Sequence, residues 1–156
     1  MAAKILIIDD EDLFREDLAS LLSVRGYECE TASTGEEGSA LATEYGPDVV
    51  LCDIVMPGKS GIEVLDEIMS NSPETCVVMI TAYGTLETAV QAFRRGAVDY
   101  INKPLLVEDV VQKIERIMNY RRLIQEVKFL RREVSPDVQS LPMVGKSRAM
   151  EDVFKL

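Results

Sequence analysis

A chain of 156 residues, 47% hydrophobic and 28% charged, has room for one domain plus an appendage, and its composition excludes disorder, collagen and a disulfide-stapled mini-protein. Acids outnumber bases 27 to 17, giving a net charge of −10, and histidine is absent. Ser-His-Asp hydrolysis, a Cys-His nucleophile, histidine-ligated zinc and phosphoryl transfer from a histidine of its own are therefore excluded. Ile5 to Ile8 opens the pattern as a continuous apolar run. Runs of this kind predict parallel strands buried on both faces. A helix over Leu13 to Val24 places Phe14, Leu18, Leu21 and Leu22 on one face, and Gly26 stops it. Tyr27 to Ala32 alternates and predicts an edge strand. Thr34 and Glu37 have the spacing of a capping box, opening a helix that ends by Gly46-Pro47.

Val49 to Cys52 is the next buried strand. Ser60 and Glu63 form a second capping box, ahead of Ile62, Leu65, Ile68 and Met69. Val77 to Ile80 is a further buried strand, followed by a helix over Thr85 to Arg95 that Gly96 stops. A weaker strand covers Val98 to Ile101, and a fifth helix starts near Val107. Five β-α alternations in 118 residues predict an open α/β sheet with helices on both faces. The fifth helix runs on: Tyr120, Leu123, Val127, Leu130 and Val134 make a heptad seam flanked by Arg121, Arg122, Lys128, Arg131 and Arg132. An amphipathic helix lying on its own domain would show the same pattern. The preceding domain is already complete, which favours a two-helix coiled coil, although two heptads alone are marginal. Ser135-Pro136 should end this helix. A helix after Ser147 runs into the end of the sequence, which suggests a fragment of something longer.

The charge follows these divisions. Residues 1–118 carry 22 acids and 9 bases, residues 119–134 carry 2 and 5, and residues 135–156 carry 3 of each. An acidic body repels nucleic acid and anionic membranes and draws cations. Cys29, Cys52 and Cys76 are odd in number without a close pair, so buried free thiols in a reducing cytoplasm are expected. No run approaches ~18 apolar residues, and neither a membrane span nor a signal peptide is expected.

In an open α/β sheet, ligands bind beyond the carboxyl ends of the strands. Asp9, Asp10, Glu11 and Asp12 follow the first strand, Asp53 the third, Thr81 the fourth and Lys103 the fifth. Each alone reads as a turn carboxylate, a helix cap or a surface lysine; their joint placement does not. Converging carboxylates need a cation, and a hard oxygen set suits Mg²⁺. A carboxylate is also a competent nucleophile toward phosphorus, and Lys103 and Thr81 can supply a positive charge and a hydroxyl donor to a phosphoryl oxygen.

The stretch from Ile5 to Glu11, CDIVMPGKSG at 52–61, Thr81-Ala82 and Asn102-Lys103-Pro104 together resemble a two-component response-regulator receiver domain over residues 1–118. The resemblance implies a flavodoxin-like (βα)5 doubly wound parallel sheet of strand order 2-1-3-4-5, with an extended C-terminal linker helix. It implies Asp53 as phosphoacceptor, supplied by a sensor histidine kinase. It implies Mg²⁺ held by Asp10, Asp53 and the Val55 carbonyl, with Asp9 acting through water. It matches Thr81 and Tyr100 to the pair that moves on activation, Lys103 to the phosphate-pairing lysine, and Lys103-Pro104 to a cis peptide. The ring of Tyr100 could equally be half-buried packing. Val55 and Tyr83, each two residues past a site residue, stand where relatives help or hinder the hydrolytic water. Val55 has no hydrogen-bonding side chain, so slow self-dephosphorylation is expected.

Leu141 to Met150 resembles the opening of the AAA+ domain in sigma-54-dependent activators of the NtrC/DctD type. The expected organisation is a receiver at 1–118, a dimerising coiled-coil linker at 119–134, and the first residues of an ATPase domain at 135–156. Gly145-Lys146-Ser147 is not a P-loop, because Ser140 stands where glycine is required and no strand precedes it. The implied function is phosphorylation-dependent control, through a homodimer, of an activator ATPase that regulates transcription. Negative control by the unphosphorylated dimer is the expected sign, with no nucleic-acid or membrane contact by this chain. Two other readings remain open here. An aspartyl phosphatase would want an acid at position 55, where Val55 stands; a phosphorylation-independent dimerisation scaffold would not need the acid set.

Overall fold

The structure is a computed structural model that describes residues 2–133, with side chains through Leu130. The elements alternate as β1 (Lys4–Ile8), α1 (Asp12–Val24), β2 (Glu28–Ala32), α2 (Gly35–Tyr45), β3 (Val49–Asp53), α3 (Gly61–Asn71), β4 (Cys76–Thr81), α4 (Leu86–Arg94), β5 (Asp99–Asn102) and α5 (Val107–Glu133). All strand pairs are parallel and the sheet order is β2-β1-β3-β4-β5, the order the family resemblance implies. β2 is an edge, with its side chains alternating between exposed and half-buried until Ala32.

The apolar runs divide by parity, because successive strand side chains point to opposite faces. Leu6, Ile8, Val50, Cys52, Val77 and Met79 pack with Val64, Leu65 and Ile68 of α3, Ala42 of α2 and Ala92 of α4. Ile5, Ile7, Val49, Leu51, Val78 and Ile80 pack with Leu18 and Leu22 of α1 and Val110, Val111 and Ile114 of α5. Two cores on one sheet explain why the central strands are apolar at every position.

The face of α1 differs from the sequence expectation. Leu21 is 49% exposed, while Arg15 is buried beside Leu18 and Leu22. At 100° per residue, positions 15, 18 and 22 share one stripe and Leu21 lies on its flank. The helix starts follow the sequence, with one refinement. Thr34 accepts from the Glu37 N–H at 3.1 Å and Ser60 from the Glu63 N–H at 3.3 Å. The box closed in both directions belongs to Thr85 and Thr88 at the start of α4. Cys52 is buried, whereas Cys29 and Cys76 are only partly so.

The chain divides at Met118 and Asn119 into two units. In the second, Tyr120, Leu123, Val127 and Leu130 are exposed. Val134, the helix stop at Ser135-Pro136 and the segment read as the opening of an ATPase domain lie outside the described residues. Among the described residues, no helix is long and apolar enough to cross a membrane.

Candidate functional site

The register brings the carboxyl ends of β1, β3, β4 and β5 level. Ile8 pairs with Cys52, Asp53 with Ile80, and Thr81 with Asn102. Asp9 is therefore the first residue beyond β1, Asp53 and Thr81 are the last residues of their strands, and Lys103 follows β5. The Lys103 N–H donates to the Thr81 carbonyl at 2.8 Å, and Lys103-Pro104 is cis.

One carboxylate oxygen from each of Asp9, Asp10 and Asp53 falls within 4.8 Å of the others. Asp9 is 1% and Asp53 6% exposed, while Asp10 faces solvent. Lys103 Nζ stands 2.9 Å from Asp9 Oδ2, 3.3 Å from Asp53 Oδ2 and 3.8 Å from Glu11 Oε2. Burial raises the Asp53 pKa above the ordinary aspartate value, and the Asp9 charge adds to it; Lys103 and the Val55 N–H pull the other way. Burial would depress the Lys103 ammonium, but bonding to Asp9 and the charge of Asp53 outweigh it and its pKa is raised. The lysine therefore stays charged, and the carboxylates face each other across it.

The loops fix the rest. The Val55 N–H donates to Asp53 Oδ1 at 3.1 Å. The Glu11 N–H donates to Asp9 Oδ1 at 2.9 Å. Gly61 opens α3 against the Asp53 backbone, where a Cβ would overlap the Asp53 carbonyl. Thr81 is 1% exposed, and its Oγ1 accepts from the Tyr83 N–H at 3.1 Å, which leaves its own proton free to donate. Tyr100 is half-buried. Its hydroxyl lies 3.3 Å from Thr88 Oγ1, over Gly84, where a Cβ would overlap the phenol oxygen.

Two neighbours went unread in the sequence. The Phe14 ring lies under Lys103, with Nζ 4.2 Å from the ring centroid, a cation–π contact. Arg15 reaches the Asp9 carbonyl and Asp12 from inside. Phe14 looked like core in the helix pattern, and no short spacing joins it to residue 103. Arg15 left a signal: a base on an otherwise leucine stripe.

The donor set suits a hard divalent cation. All three donors are carboxylates, and the only group the buried Asp9 Oδ2 meets among the described residues is the Lys103 ammonium at 2.9 Å. That oxygen keeps unspent acceptor capacity, and a cation among the acids would relieve the repulsion that raises Asp53.

A family model described as a response regulator receiver domain matches residues 5–115. The chain belongs to that family. Its receiver is of the kind carried by NtrC- and AtoC-type regulators. It is 36% identical over 152 residues to the regulatory protein AtoC of Escherichia coli, covering 97% of this chain and 33% of AtoC. It is 36% identical over 155 residues to the nitrogen assimilation regulatory protein NtrX of Azorhizobium caulinodans, covering 98% of this chain and 33% of that protein. The chain thus spans about a third of the length of these relatives. The crystal structure of NtrX from Brucella abortus in complex with ATP superposes with a TM-score of 0.78 at 40% identity, over 83% of this chain and 30% of that one. A CheY-like receiver from Methanospirillum hungatei superposes with a TM-score of 0.76 at 31% identity, over 78% of this chain and 98% of that one.

Proposed function

We propose that this receiver takes a phosphoryl group onto Asp53 from the phosphohistidine of a sensor kinase and passes the change to a transcription activator of the sigma-54 type. The observation that carries this reading is Lys103 Nζ standing between Asp9 and Asp53, with a third acid, Asp10, in the same 4.8 Å group. An Asp53 oxygen attacks phosphorus, the P–O bond forms as the P–N bond to the donor imidazole breaks, and the imidazole leaves with the electron pair. Asp53 Oδ1 is oriented by the Val55 N–H. Lys103 meets charge on the transferred group, and the Thr81 hydroxyl donates to one of its oxygens. Asp10 and Asp53, with the Val55 carbonyl and with Asp9 through water, are the residues that would hold Mg²⁺. When bound, Mg²⁺ supplies charge neutralisation for the phosphoryl oxygens. The chain is no enzyme beyond this self-modification and its reversal, and the bare side chain of Val55 favours a long-lived phosphoryl group.

Engagement of Thr81 would free the space beside it for Tyr100, and phosphorylation would shift a pre-existing balance of ring positions. The output runs through α5. Tyr120, Leu123, Val127 and Leu130 form the seam of a linker homodimer, ahead of an AAA+ domain in the full-length protein. The unphosphorylated dimer restrains that ATPase. The setting is the cytoplasm, and neither nucleic acid nor membrane touches this chain. Fluorine NMR with beryllofluoride, a mimic of the phosphoryl group, tests the reading. Bound fluoride resonances should appear with the wild-type chain only when Mg²⁺ is present, and be absent from Asp53→Ala. No bound signal, or the same signal from the variant, contradicts it.

A further inference from the structure

The core-facing stripe of α1 runs Arg15, Leu18, Leu22, and its first member is a cation. Arg15 is 8% exposed. A guanidinium so buried is costly unless its donors are used. Here they are used on the turn that carries the acids. One terminal nitrogen donates to the Asp9 carbonyl at 2.8 Å, and the other donates to Asp12 Oδ1 at 2.7 Å and lies 3.6 Å from Glu16. Asp9 and Asp12 bracket the turn, with Asp10 and Glu11 between them. The bonded carbonyl belongs to the peptide that joins Asp9 to Asp10, so fixing it fixes the plane from which Asp10 departs. The same turn is closed on its other side by the Glu11 N–H on Asp9 Oδ1.

A lysine could not do this. Its ammonium is a compact point charge, whereas the planar guanidinium spans two acceptors at a fixed separation. An apolar residue would fill the stripe but leave the Asp9 carbonyl without its donor. We propose that Arg15 is a positioning residue of the cation site: it clamps the Asp9–Asp12 turn from the core side and so sets where the Asp10 carboxylate stands relative to Asp53. The inference rests on the reading of Asp9, Asp10 and Asp53 as a divalent cation site. Arg15 contributes by holding the turn and touches neither the cation nor the phosphoryl group.

The test is direct Mn²⁺ binding to the full chain, followed by electron paramagnetic resonance, on wild type, Arg15→Met, Arg15→Lys, Asp12→Asn and Asp10→Asn. Wild type should bind one ion and Asp10→Asn should lose it. Arg15→Met and Arg15→Lys should bind about tenfold more weakly or worse, the range seen when an outer support of a metal ligand is removed. Asp12→Asn, which weakens only one arm of the clamp, should lose less. Phosphorylation of Arg15→Lys by a small phosphodonor should return toward the wild-type rate as Mg²⁺ is raised, because position and not chemistry was lost. Unfolding midpoints in chelator identify the folded variants; if Arg15→Met is unfolded, Arg15→Lys decides. A folded Arg15 variant that binds Mn²⁺ as wild type does overturns the proposal while leaving the site reading intact. A wild-type chain that binds no Mn²⁺ overturns both.

Discussion

Within each central strand the chemistry changes over one residue. In β3, Val49 to Cys52 are buried and apolar, and the next residue, Asp53, is buried too but carries a carboxylate. In β1 the change falls between Ile8 and Asp9. The body of the sheet and its carboxyl rim thus share burial and differ in what burial does. In the body it drives folding, with ~1.5–3 kcal/mol from each large side chain. At the rim it opposes the charged state, and the folded chain retains like charges within 4.8 Å of one another. Residues kept against the interest of stability are residues kept for something else.

The comparison can be tested from both sides. The largest effect belongs to the body. Leu51→Ala should cost about 2–5 kcal/mol, read as a lower urea midpoint with an unchanged slope. An effect under 1 kcal/mol would mean that the strand interior is not the core described. Next comes the edge of α4. Thr88→Val removes the hydroxyl that closes the capping box and meets Tyr100, and should cost about 1 kcal/mol. Gly84→Ala should also move the Tyr100 ring, because a Cβ there overlaps the phenol oxygen. Ring-labelled tyrosine NMR reads this, and unchanged Tyr100 shifts would contradict the packing.

At the rim the sign reverses. The folded-state pKa of Asp53 is raised by burial and by Asp9, so the group favours the folded state fully only below its unfolded value. That contribution is lost as pH rises through the folded pKa. In chelator, Asp53→Asn should therefore be more stable than wild type at neutral pH, and the gap should close as the pH falls toward 3.8, the ordinary aspartate value. A variant less stable at neutral pH would show that Asp53 supports the fold after all. The smallest structural effect belongs to the seam. Leu123→Asp should leave the unfolding of residues 1–118 unchanged, since Leu123 is 57% exposed, and should shift a sedimenting dimer to monomer. A wild-type chain that sediments as a monomer removes the linker dimer from the account.

The body was legible because a strand buried on both faces must be apolar at consecutive positions, and glycines and caps marked the helix ends. The rim was legible in part. Parallel βα units place every strand's carboxyl end on one side, so Asp9, Asp53, Thr81 and Lys103 could be brought together from order alone. What the sequence hid were contacts made from a helix. Phe14 under Lys103 joins positions far apart in the chain, and a periodicity of apolar residues skips a cation such as Arg15. The seating of Tyr100 over Gly84 and against Thr88 likewise needs β5 and α4 in three dimensions.

The proposed phosphoryl chemistry rests on the buried Asp53 carboxylate acting as a nucleophile toward phosphorus. The most direct measurement is the intact mass of the chain after incubation with a small-molecule phosphodonor and Mg²⁺, with and without hydroxylamine. Wild type should gain one phosphoryl group that depends on Mg²⁺ and is removed by hydroxylamine, as an acyl phosphate is, and Asp53→Asn should gain none. A wild-type chain that gains no phosphoryl group, or an Asp53→Asn variant that gains the same labile one, would mean that Asp53 is not the phosphoacceptor.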